Sequence, residues 1–161
     1  MKNLLILVFT FITFGAMAQT PASAVITGTT DVQKLNDEKA YPWFATGCKD
    51  YTPDAATLKT LKENMPADAT LLVFAGTWCS DTQYLLPKFY KTLDDAGISR
   101  DRVKLYLLDE QKQSPEQLEK QYQVVSVPTF IVLQNGKELG RIVETVQKSI
   151  EADLVNKLQK K

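Results

Sequence analysis

Cys79 stands in the run Trp78-Cys79-Ser80-Asp81-Thr82, directly after the apolar stretch Thr70 to Ala75 (TLLVFA). Six nearly continuous apolar residues read as a short strand buried on both faces. The segment after Cys79 carries Leu85, Leu86, Phe89, Tyr90 and Leu93 at helical spacing, and Gly97 marks its stop. A thiol at such a strand-to-helix junction faces unpaired backbone N–H groups and the positive end of the helix dipole, and both favour thiolate over thiol. Asp81, two residues on, opposes this with its own negative charge. The chemistry on offer is nucleophilic attack on a disulfide. The competing reading of Cys79 is a buried thiol acting as a small hydrophobe.

The composition closes off most other chemistries. The chain has no histidine, which removes a Ser-His-Asp triad, a Cys–His pair and any imidazole metal site. Two cysteines cannot build a four-thiolate zinc site, and none of the seven glycines forms a G-x-G, so the dinucleotide fingerprint and the phosphate-cradling loop are missing. Asp94-Asp95 and Asp109-Glu110 lack the spacing of a calcium loop and read as surface groups at element ends. No metal site is expected. Nineteen basic residues balance nineteen acidic ones with no long basic run, which argues against nucleic acid as a partner.

The elements that must position Cys79 follow from local signals. Thr52-Pro53-Asp54 reads as a helix start with Thr52 as cap, Leu58 and Leu61 share a face, and Pro66 ends the helix. Val103 to Leu108 is a second buried strand, and Ser114-Pro115-Glu116-Gln117 reads as a capping box opening a helix through about Tyr122. Val127 to Leu133 and Glu138 to Val143 flank Asn135-Gly136, a strong hairpin signal. Ser149 caps a last helix with Ile150, Leu154 and Leu158 four residues apart. The predicted order after residue 52 is α-β-α-β-α-β-β-α: an α/β domain with a central mixed sheet flanked by helices on both faces. Asp31 to Tyr51 is a mixed stretch with room for a short helix, ending in the aromatic cluster Tyr41, Trp43 and Phe44, which reads as core.

The start of the chain reads as an address. Lys2 precedes an apolar run from Leu4 to Phe14, and Ala16-Met17-Ala18 gives a small-x-small cleavage pattern, so residues 1–18 are expected to be a secretory signal peptide cut before Gln19. About eleven apolar residues are too few to span a bilayer, so no stable membrane anchor is expected in the mature form. Gln19 to Thr30 is small and polar and reads as a flexible leader, leaving 31–161 as the domain. The expected location is periplasmic or extracellular, an oxidising setting for both cysteines.

These features together resemble the thioredoxin superfamily. The resemblance rests on the Trp78-Cys79 junction after a strand, on Pro87 eight residues further along the helix, and on Val127-Pro128-Thr129 leading through a strand to Asn135-Gly136. It spans about residues 53 to 160 and implies the thioredoxin-like fold. It also implies that Pro128 is cis and lies beside Cys79, that Val127 offers its backbone to an extended substrate segment, and that Trp78 lines the groove. No cofactor is implied.

Two departures bear on function. Thr82 stands where the family's second, resolving cysteine would be, and a hydroxyl cannot displace a sulfur from a mixed disulfide. Thr82 could instead donate a hydrogen bond to a Cys79 thiolate. Val73 occupies the position, six residues before Cys79, where the family tends to bury an acid. Cys48 is either a resolving or bridging partner of Cys79 or a buried, unpaired thiol. Two functions stand open. One is an exported monothiol oxidoreductase with Cys79 and Thr82 as catalytic residues, acting on protein or small-thiol disulfides and needing an external thiol donor. The other is a non-catalytic module that holds an extended partner segment in a groove made by Trp78, Val127 and Pro128.

Overall fold

The computed structural model describes residues 25–159. The expected signal peptide and residues 19–24 of the expected leader lie outside the described residues. A five-stranded sheet forms the centre: β1 Gly28–Thr30, β2 Thr70–Ala75, β3 Val103–Leu107, β4 Thr129–Gln134 and β5 Lys137–Val143, in the spatial order β1-β3-β2-β4-β5. β2 and β3 run parallel, and every other pairing is antiparallel. The apolar run of β2 is explained by its place in the middle. Leu71, Val73 and Ala75 enter one core cluster while Leu72 and Phe74 enter the other, the two-sided burial that period-two side chains require.

The two faces are covered unequally. α1 (Pro42–Asp50), α2 (Ala55–Asn64), α3 (Ser80–Ala96) and α5 (Ile150–Gln159) all contribute to the larger cluster. The other face is closed by α4 (Leu118–Gln121) and the chain that follows it, through Leu118, Tyr122, Val124 and Val127. Tyr41 and Phe44 are buried and Trp43 partly so. Phe44 meets Tyr90 edge-on at 5.8 Å, and Phe89 packs on Phe130 at 4.7 Å, so α3 is clamped between α1 and the sheet. Among the described residues no helix is long and apolar enough to cross a membrane.

The predicted element order after residue 52 matches the observed one, and three local expectations are corrected. Gly28–Thr30, read as the end of a flexible leader, is an edge strand paired antiparallel with Leu105 to Leu107. The cap of α2 is Asp54 rather than Thr52: its carboxylate accepts from the Thr57 amide at 2.8 Å and the Thr57 hydroxyl at 2.7 Å, and an ionised cap suits the positive helix end better than a hydroxyl. The helix expected from Ser114 shrinks to the four residues of α4. Gln117 lies in the left-handed region at φ 54°, which breaks a continuous helix, and the Ser114 hydroxyl bonds to Glu119 at 2.6 Å instead of capping. Elsewhere the turn chemistry is as read. Asn135 (φ 50°) and Gly136 (φ 77°) make the two-residue hairpin turn, and Gly97 (φ 68°) ends α3.

α2 and α5 are joined by a buried carboxylate. Glu151, 2% exposed, accepts from the Tyr51 hydroxyl at 2.6 Å and from the Asp54 amide at 3.2 Å. Burial pushes the Glu151 carboxyl up, but these hydrogen bonds and one from Ser149 outweigh it and hold the group below its ordinary value. The stabilisation is therefore full above the unfolded-state value of about 4.3 and fades as pH falls through the lower folded-state value. Tyr51→Phe should cost about 1.5–3 kcal/mol at pH 7, where the acceptor is charged, and about 1 kcal/mol at a pH below the lowered folded-state value, read by urea unfolding. An equal cost at both pH values would contradict a charged acceptor.

Candidate functional site at the start of α3

Cys79 is the residue flanking the first turn of α3, with an extended backbone at φ −85°, ψ 125°. Its amide donates to the Gly76 carbonyl at 3.0 Å and its carbonyl accepts from Gln83 N at 3.0 Å, so the strand-to-helix turn is closed on both sides of the residue. The Cys79 side chain does not cap the helix. Its half-buried sulfur instead donates to the Val127 carbonyl at 3.4 Å. The Val127–Pro128 peptide bond is cis. Val127 and Pro128 are themselves buried, so backbone is what they present at the thiol. The sulfur thus sits at the positive end of a 17-residue helix, with Asp81 exposed in the first turn.

Trp78 forms the neighbouring wall. Its indole Nε1 donates to the Leu108 carbonyl at 3.0 Å, fastening the turn to the end of β3. The indole lies against Gly76, where a Cβ would stand 2.6 Å from the ring. Gly76→Ala is therefore expected to displace the indole, break the bond to Leu108 and slow Cys79 alkylation by about tenfold. The check is iodoacetamide kinetics alongside tryptophan fluorescence, and an unchanged rate with a displaced indole would detach Trp78 from thiol reactivity.

Thr82 has a place other than the one expected. It is completely buried, and its hydroxyl accepts from the Gly76 amide at 3.2 Å, so it braces the turn while the Cys79 sulfur bonds to Val127. Gln83, which sequence reasoning passed over, adds a second brace by donating to the Thr77 carbonyl at 2.8 Å. Its position four residues after Cys79, on the same helix face, was the available signal. Val73 is wholly buried among apolar side chains.

Cys48 is not brought to Cys79. It sits on α1, where its half-buried thiol donates to the Pro87 carbonyl at 3.5 Å, and both cysteines are free. Pro87 is eight residues along α3 from Cys79, about 12 Å of helix rise. That is beyond the ~7 Å a disulfide tolerates between Cα atoms. The bridging or resolving role considered for Cys48 is corrected accordingly: Cys48 is unpaired, though half-buried rather than buried.

A mixed sheet, a Trp-Cys turn opening a long helix, and a cis-proline facing the thiol are the arrangement that the sequence resemblance implies. The sequence model of the family described as thioredoxin matches residues 47–160. The chain belongs to the thioredoxin family. Its curated relatives include two rice (Oryza sativa subsp. japonica) thioredoxins. Thioredoxin Y, chloroplastic, is 31% identical over 71 residues, 44% of this chain and 39% of that protein. Thioredoxin H2-2 is 29% identical over 86 residues, 53% of this chain and 60% of the relative. The matches thus span less than two thirds of either relative. Among solved structures, a Pseudomonas aeruginosa protein of unknown function superposes with a TM-score of 0.54 at 16% identity, over 73% of this chain and 82% of that one, a likeness of fold.

Proposed function

We propose that this thioredoxin-family chain is an exported thiol–disulfide exchange protein working through one sulfur, that of Cys79. The observation that carries the reading is the half-exposed Cys79 Sγ at the start of α3, 3.4 Å from the Val127 carbonyl that precedes Pro128. In the forward step the Cys79 thiolate attacks one sulfur of a substrate disulfide. The Cys79–sulfur bond forms as the substrate S–S bond breaks, and the departing sulfur leaves as thiolate with the electron pair. An external thiol then attacks the substrate sulfur of this mixed disulfide and returns Cys79 as thiolate. Removal of a small-thiol adduct consists of these two steps. Reduction needs a second external thiol to free the substrate sulfur as thiol and leave the external disulfide, and isomerisation ends when another thiol of the same substrate makes the second attack; no cofactor is needed.

An extended substrate segment would lie along the backbone at Val127, beside Trp78. Thr82 serves as a brace of the turn, and with Cys48 out of reach the resolving thiol comes from outside. The apolar run before Ala16-Met17-Ala18 supports export with cleavage before Gln19, to the periplasm or the outside of the cell.

The test is stopped-flow reaction of the folded protein with dithiobis-nitrobenzoate. One equivalent of nitrothiobenzoate released in a fast phase, with the label on Cys79, supports exchange. A second reading, a binding module with an inert thiol, is favoured by the brace role of Thr82 and the apolar Val73. Absence of any fast phase would select it.

A further inference from the structure

The register of the sheet brings three acidic segments to one end of the molecule. Ala75 of β2 stands opposite Leu107 of β3, Phe74 of β2 opposite Thr129 of β4, and Thr129 opposite Val143 of β5. The turn carrying Cys79, the loop after β3, the Val127–Pro128 bend and the turn after β5 therefore emerge side by side, at the carboxyl ends of β2, β3 and β5. In sheets of this class the ends of the strands are where ligands are received. Two hydrogen bonds fix the outer segments to the thiol's own walls: Trp78 Nε1 to the Leu108 carbonyl, and the Glu144 amide to the Pro128 carbonyl at 2.8 Å.

All of these segments but the Val127–Pro128 bend carry acid. Asp81 is exposed in the first turn of α3, Asp109 and the exposed Glu110 follow Leu108, and the exposed Glu144 follows β5. Glu144 is held at φ 58°, a backbone conformation usually left to glycine or asparagine, so the chain keeps a charged side chain at a turn that does not favour one. Two cations lie within these segments: Lys112, whose ammonium is engaged with the Val125 carbonyl at 3.1 Å, and the exposed Lys148, which lies on the side of Ala56, Thr57 and Asn156. Three strand spacings separate the loop after β3 from the turn after β5, about 14 Å in all, with Cys79 between. The loop after β3 and the turn after β5 thus lie one and two strand spacings, about 5 and 10 Å, from the strand that leads to Cys79, a range comparable to the Debye length at physiological salt. Apolar surface shares the rim. Val125 is 75% exposed just before the Val127–Pro128 bend, and Val143, beside Glu144, is 40% exposed.

We infer that the strand-end surface beside Cys79 selects extended polypeptide segments in which the disulfide-bonded cysteine is flanked by lysine or arginine, with an apolar neighbour resting on Val125 and Val143. The inference rests on the thiol-exchange reading and adds its substrate class. Charge complementarity argues for the occupant: a cationic segment enters the field of Asp81, Asp109, Glu110 and Glu144, while an acidic one is repelled. The field acts mainly on the rate of encounter, before any covalent step. In that step the Cys79 thiolate bonds to the peptide sulfur, and a nitrothiobenzoate leaving group departs with the electron pair.

The experiment uses three cysteine peptides of equal length, each activated as a mixed disulfide with nitrothiobenzoate and flanked by arginine, by glutamine or by glutamate. Release is followed by absorbance and the Cys79 adduct by intact mass. At low salt the arginine peptide should react about tenfold faster than the glutamate peptide, the ratio collapsing to within about twofold at about 0.5 M salt. The triple variant Asp81→Asn, Glu110→Gln, Glu144→Gln should bring the low-salt ratio close to one. Equal rates for the three peptides, or a preference that survives the triple substitution, would overturn the acidic-rim selection while leaving exchange at Cys79 intact. No adduct with any peptide would overturn the exchange reading, and the selection with it.

Discussion

Cys79→Ser is expected to abolish the fast capture of disulfides, reducing it to the rate of the uncatalysed reaction, while Cys48→Ser should stay within about twofold of the wild type. The contrast follows from where the two thiols sit. Cys79 is at the start of α3 with its half-buried sulfur 3.4 Å from the Val127 carbonyl, and a serine hydroxyl there cannot attack sulfur at neutral pH. Burial pushes the Cys48 thiol up from its ordinary value. Arg100 pulls the other way, as does Lys91, but the balance stays on the thiol side. A protonated thiol donating to the Pro87 carbonyl is a poor nucleophile. The measurement is nitrothiobenzoate release by each variant, with far-ultraviolet circular dichroism to establish that both fold. A fast phase that survives Cys79→Ser would assign the reactive thiol elsewhere.

On the proposed single-sulfur reading, Thr82→Cys is expected to introduce catalytic turnover. Residues 79 and 82 are three apart at a helix start, close enough for a disulfide between them. A second sulfur at 82 could attack Cys79 in the mixed disulfide, releasing the substrate as thiol and leaving a 79–82 disulfide for an external reductant to reopen. The expected result is insulin reduction driven by dithiothreitol well above the rate of the wild type, which has no internal resolving step. The change removes the hydroxyl that accepts from the Gly76 amide, so a stability loss of about 1–3 kcal/mol should accompany it. Thr82→Ser keeps that acceptor and supplies no thiol, and should show no gain. If Thr82→Cys gives neither turnover nor a 79–82 disulfide by peptide mapping, the two positions do not form a working pair.

Much of the fold was legible because its signals are local. The buried run of β2, the helical spacing from Leu85 to Leu93 and the Asn135-Gly136 turn each state their own structure. The parts that were not legible depend on partners distant in the chain. β1 is three residues long and exists through its pairing with β3, which no local pattern announces. Ser114 and Glu116 look like a helix opening, yet Ser114 bonds to Glu119 and Glu116 reaches 87 residues back to the Thr29 amide. The register of the hairpin has the same character. An uninterrupted two-residue turn would set residue 142 opposite Thr129, but an irregularity at Val132/Leu133 shifts the pairing so that Val143 stands there and Glu144 meets Pro128. The thiol was identifiable from residue type and placement, and the proline strand and the tryptophan from the resemblance to the thioredoxin superfamily. The duties of Thr82 and Cys48 were not, since each depends on which carbonyl or amide the tertiary fold brings near.

The claim that Cys79 acts without an internal partner is tested most directly by following the intact mass of the peptide-loaded protein over time, with no reductant present. The mixed disulfide should persist unchanged, and added glutathione should release the peptide and restore the free protein mass. Spontaneous loss of the peptide, leaving a protein two hydrogens lighter with Cys48 joined to Cys79, would contradict it.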